Sequence, residues 1–165
     1  MSLIEMLLKE MNQEAVTTRK FLSIIPENKF DWQPHPKSMS MRSLATHIAE
    51  LPSWVSLALT TDELDFAAAP YEPTRIDSVA DLLTLFEKSL NDGRSQLVPE
   101  NELKLQQPWT LRNGDTIFST TSKLETIRHA FNQITHHRAQ LGVYLRLLDV
   151  PVPSSYGPSA DDPGF

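Results

Sequence analysis

The stretch Thr121-Ser-Lys-Leu-Glu-Thr-Ile-Arg-His-Ala-Phe-Asn-Gln-Ile-Thr-His-His-Arg-Ala-Gln-Leu-Gly-Val-Tyr-Leu-Arg-Leu-Leu148 carries the clearest pattern in the chain. Leu124, Ile127, Phe131, Ile134, Leu141, Leu145 and Leu148 recur in a heptad rhythm, and Arg138 occupies one apolar slot. A rhythm of three- and four-residue steps belongs to a helix and not to a strand. It predicts one long amphipathic helix over 121–148 with its stripe in a core.

Working outward, three more segments keep the same period. Ile4, Leu8, Met11, Ala15, Thr18, Leu22 and Ile25 run until Pro26 stops them. A second stripe begins near Ser38–Ser40 and uses Met41, Leu44, Ile48, Leu51, Val55, Ala58 and Leu59. Pro52 interrupts it and leaves the Ile48 carbonyl without a donor, which predicts a kink or break. A third opens at Ser78-Val-Ala-Asp81, a capping-box-like start, and continues through Val79, Leu83, Phe86 and Leu90. The segment 60–77 reads as a long crossover. Between the third and fourth helices, Trp109 to Phe118 alternates around Asn113-Gly114, a hairpin signal. The tail is rich in proline and reads as an extended strap over 150–165. The expected fold is an all-α four-helix bundle, one domain over 1–165, with a short β-hairpin before its last helix.

Composition narrows the function. The 165 residues include no cysteine, so disulfides, thiolate ligands and a cysteine nucleophile are excluded. Any metal must take nitrogen and oxygen donors. A net charge of −6 argues against a nucleic-acid partner, which calls for a basic face. No apolar run reaches the roughly 18–20 residues of a membrane span. The first residues show no basic leader or small-residue cleavage site. A soluble, cytoplasmic protein with no membrane partner is expected. Leu3, Met6 and Leu7 widen the first helix's stripe, which points to a homodimer.

The histidines carry the chemistry. With Ile134 at zero and 100° per residue, the last helix's stripe centres near about 20°, and His137 falls at its edge at about −60°. Gln133 at about −100° and Tyr144 at about −80° share that flank, while His136 at about 200° and His129 at about −140° point away. On the second helix His47 is also at the stripe edge, with Trp54 two turns along. His47 and His137 are therefore the two best placed to face one cleft, with Gln133 one turn above His137. A boundary histidine is more often a hydrogen-bonded structural residue than a ligand, and Trp32, Trp54 and Trp109 are more often core than platform. Arg138 in an apolar rhythm needs a partner: an acid on a neighbouring helix, or an anionic ligand.

Trp32-Gln-Pro34, Leu44-Ala-Thr-His47-Ile-Ala-Glu50, Asn132-Gln-Ile-Thr-His-His-Arg-Ala-Gln140 and the closing Leu145-Arg-Leu-Leu-Asp-Val-Pro-Val-Pro with Tyr156-Gly-Pro158 give the chain a family likeness. It resembles the DinB-like (DinB/YfiT) superfamily, which includes damage-inducible and metal-dependent bacterial proteins. The resemblance implies an up-down-down-up bundle, often dimeric, with a divalent metal on three histidines, one from helix two and two from helix four. Carried over, those positions are His47, Gln133 and His137. The chain departs from the pattern at Gln133, since an amide oxygen is a weaker ligand than imidazole for zinc or nickel. His129 as an alternative third ligand lies about 12 Å along the axis from His137, too far for a joint chelate on one straight helix.

Two functions follow from the resemblance. One is a metal-dependent transferase using a low-molecular-weight thiol, or an isomerase of that kind. His47 and His137 would hold zinc, nickel or manganese, and Arg138, Tyr144 or Trp54 would contact the substrate. The other is a non-catalytic stress-response bundle that binds a metal or small molecule at a degenerate site, with the metal weakly held or absent.

Overall fold

The computed structural model describes residues 1–68 and 71–164. Among these, five α-helices carry the fold: α1 (Leu3–Ser23), α2 (Met41–Glu50), α3 (Trp54–Thr60), α4 (Val79–Gln96) and α5 (Lys123–Leu147). Three short strands, β1 (Glu63–Asp65), β2 (Pro108–Asn113) and β3 (Thr116–Ser122), form one sheet in the order β1-β2-β3.

Each long helix starts on a serine that satisfies an otherwise orphaned N–H. Ser2 with Glu5, and Ser122 with Glu125, make reciprocal capping boxes at α1 and α5. At α4 the cap is one-sided: Ser78 Oγ accepts from the Asp81 N–H, and the Asp81 carboxylate reaches the Asp77 N–H. The expected second helix is divided. A 3-10 turn at Leu51–Ser53 separates α2 from α3, where Pro52 has no N–H to continue the ladder. The described bundle therefore has its four helical arms with the second in two pieces.

The stripe of α5 is buried as its period requires. Ile127, Phe131, Ile134, Leu141 and Leu145 meet Leu7, Met11 and Leu22 of α1, Leu44 and Ile48 of α2, and Phe86 and Leu90 of α4 in one core. Burial of this area is the main stabilising term. Leu7 belongs to that core and is fully buried, so the expectation that it widens an exposed patch is corrected; Leu3 and Met6 do remain exposed. Gly93 lets α4 approach the Pro52 turn: a methyl there would overlap the Pro52 carbonyl oxygen and lie 2.6 Å from Met11 Cε.

The hairpin forms, with its turn one residue later than read from sequence. Asn113 pairs with Thr116, and Gly114-Asp115 make the loop. Gly114 takes φ +56°, which glycine tolerates without a Cβ penalty, and its N–H donates to Asp65 Oδ1 at 2.9 Å. The strand β1 was not foreseen. It lies parallel to β2 inside the segment read as a long crossover. Arg112 of β2 faces the carboxylates of Glu63 and Asp65, each at 3.5 Å. Asp65 is held below the usual carboxylate range, chiefly by the Gly114 N–H.

Residues 150–164 form no helix or strand, as expected of a strap. Tyr156 ties it down: its hydroxyl donates to Glu14 Oε2 at 2.9 Å and accepts from Arg138 Nη2 at 3.0 Å.

Candidate functional site

Helices α2 and α5 pack together and bring His47 and His137 face to edge, with ring centroids 4.8 Å apart and planes at 74°. Both imidazoles are half-buried. His137 Nδ1 lies 2.8 Å from Gln140 Oε1 one turn along α5. An amide oxygen can only accept, so in this bond Nδ1 carries a proton and Nε2 is the ring nitrogen that a metal would take. Burial lowers the His47 pKa, the His137 charge lowers it further, and Glu50 opposes both. His47 is thus neutral at pH 7, the form in which an imidazole binds a metal.

His47 lines a cleft of about 520 Å³, a volume suited to a small molecule, and His137 stands behind it against the His47 ring. His47 and Glu50 line it from α2, Trp54 and Leu57 from α3, and Leu64, Phe66, Tyr71 and Glu72 from the segment that follows. Lys123 secures this wall from beneath. Its nearly buried ammonium donates to the Thr61 carbonyl at 2.7 Å and pairs with Asp62 at 3.0 Å. Trp109 Nε1 adds a bond to Thr61 Oγ1 at 3.0 Å.

The other expected site residues separate into two groups. Gln133 stands one turn before His137, but its amide nitrogen is 3.2 Å from His129 Nε2. Gln133 and His129 line a neighbouring cavity of about 420 Å³ that shares Trp54 with the first. Trp54 thus faces both cavities, with Trp109 at 6.5 Å. Arg138 and Tyr144 do not line either one. Arg138 is buried and pairs with Glu14 Oε2 at 2.7 Å, donates to Thr18 Oγ1 at 3.0 Å and lies over the Tyr156 ring. Of its two readings, the acid on a neighbouring helix is the one observed. Tyr144 donates to the Met39 carbonyl at 3.1 Å and packs edge-on to Trp32. His136 is exposed beside His137, with ring centroids 4.9 Å apart.

Sequence reasoning missed Glu50, Leu64, Phe66, Tyr71 and Glu72. The signal available was the alternation Leu64, Phe66 within an otherwise polar run, enough for one short strand with an apolar face.

The DinB family model matches residues 1–163. The chain belongs to the DinB family. Solved DinB-like proteins share its fold. One from Bacillus subtilis superposes with a TM-score of 0.65 at 18% identity, covering 95% of this chain and 98% of its own. One from Bacillus cereus gives 0.66 at 18%, covering 92% and 97%, and a DinB-family candidate from Exiguobacterium sibiricum gives 0.61 at 21%, covering 88% and 90%. No curated protein matches. The helical DinB-like fold expected from the sequence is the fold observed, with the three-stranded sheet added near α3 and α5. Among the described residues of this DinB protein, no three His, Cys, Asp or Glu side chains cluster as a metal site. No helix there is long and apolar enough to cross a membrane.

Proposed function

We propose that this DinB protein binds a divalent metal weakly between His47 and His137 and uses it to transfer a low-molecular-weight thiol to a substrate held in the adjoining cleft. The observation that carries the reading is the two imidazoles at 4.8 Å, one with its Nδ1 proton fixed by Gln140 and the other kept neutral by burial. A metal-binding histidine typically has its second nitrogen oriented in this way. The donor set fits zinc or nickel, which favour imidazole, better than manganese, which favours oxygen. Gln133 or water would complete the shell. When bound, such an ion would lower the pKa of a thiol and hold it as thiolate.

The chain's own residues supply the rest. Gln140 orients His137, the apolar wall around Trp54 excludes water, and Lys123 holds that wall in place. Arg138 and Tyr144 have structural partners and take no part in this reading. The absence of cysteine is compatible with it, since the thiol enters as a co-substrate.

One observation favours a second reading, a ligand-binding bundle without catalysis. Gln133 bonds His129, and a site of two imidazoles retains metal poorly. Metal analysis of untagged protein after equilibration with zinc or nickel separates the two. The first reading predicts near-stoichiometric metal that falls at least tenfold in His137→Ala. No metal in the parent protein would leave only the second. We further propose that the protein is a homodimer, on the apolar surface of α1 at Leu3, Met6 and Val16, which are 36%, 43% and 54% exposed.

A further inference from the structure

The charge of the cleft beside His47 is one-sided. Among the described residues its lining has two carboxylates, Glu50 and Glu72, and no lysine or arginine. Neither carboxylate has an ion-pair partner among those residues, whereas Glu14, Asp62, Glu63 and Asp65 each have one. Glu50 is nevertheless fixed. One of its oxygens accepts from the Thr74 N–H at 3.2 Å and from Thr74 Oγ1 at 2.8 Å, and the other from the Tyr71 hydroxyl at 2.6 Å. All three are neutral donors, so they orient the negative charge without cancelling it. The Tyr71 pKa is raised by burial and by Glu50, which keeps its hydroxyl protonated and turned to that carboxylate.

The remaining surface is aromatic and aliphatic. Trp54 comes from α3 and Phe66 and Tyr71 from the segment that follows it, and Leu57 and Leu64 complete the lining. Aromatic faces attract cations through their quadrupole, and a carboxylate strengthens that attraction when solvent is partly excluded. An anion in the same place would meet two like charges and no counter-ion. A compact ammonium with an apolar substituent satisfies both parts of the lining.

We propose that this cleft selects an alkylammonium-bearing substrate, with the cationic head between Glu50 and Glu72 and the apolar part against Trp54. The inference takes the His47 cleft as the functional site and adds the chemical class of what enters it. It does not require a bound metal.

The test uses metal-free full-length protein in chelator, with binding read from the amide and indole resonances by NMR. The probes are benzyltrimethylammonium and its anionic counterpart phenylmethanesulfonate. The ammonium should shift the Trp54 indole resonance and bind at least tenfold tighter than the sulfonate. Glu72→Gln, an exposed position where folding is not at stake, should weaken the ammonium at least threefold and leave the sulfonate no weaker. Because the titration is run without metal, failure of the metal reading and failure of this one are separable. The proposal is overturned if the sulfonate binds as tightly as the ammonium, if neither probe moves Trp54, or if Glu72→Gln does not weaken the ammonium.

Discussion

At His47 the physics of burial sets a pH response. Its pKa lies below the ordinary value of 6.5, because desolvation and the His137 charge disfavour the imidazolium. The unfolded chain therefore binds a proton more readily than the folded one as pH falls through that value. By linkage, the contribution is complete above pH 6.5 and is lost on acidification below it. Denaturant unfolding of metal-free protein should show the parent losing more stability than His47→Asn when pH drops from about 7.5 to about 5.5. Equal losses would show that the imidazole is not desolvated. The directions of both histidines were readable from helix angles alone. The partner of Gln133 was not, because His129 and His137 each lie four residues from it and compete for one amide.

Among the elements, α5 was legible because its period persists along the whole helix. The strand β1 was not, since three residues carry too little alternation and their partner, β2, is distant in sequence. That strand brings Leu64 to the cleft, and Phe66 follows it, so part of the site was hidden with it. Pro52 announced the break between α2 and α3, while the tight seat that α4 offers the resulting turn emerged only in three dimensions. Gly93→Ala tests that seat. The added methyl meets backbone at the Pro52 carbonyl, which cannot yield as a side-chain tip would. A loss of about 1–3 kcal/mol in chemical denaturation is expected from overpacking. A neutral or stabilising effect, as helix propensity alone would give, would show that α4 and the turn are not in contact.

For the whole molecule, the bundle divides its polar interior by role. The buried Arg138–Glu14 pair with Tyr156 fastens the tail, whereas His47 lines a cleft with His137 against its ring. The dimer proposal predicts a sedimentation mass twice that of the 18.7 kDa chain at micromolar concentration; a monomer there would contradict it. The central claim is that His47 and His137 form a metal site in which Gln133 is the weak member. Calorimetric titration of the parent and of Gln133→His with zinc and nickel tests it most directly. Replacing an amide by imidazole four residues before His137 should raise affinity by about tenfold or more, because the new ligand is the better donor on a preformed helix face. A variant that binds no tighter than the parent would show that the three positions do not converge on one ion, and the metal-site account would fail.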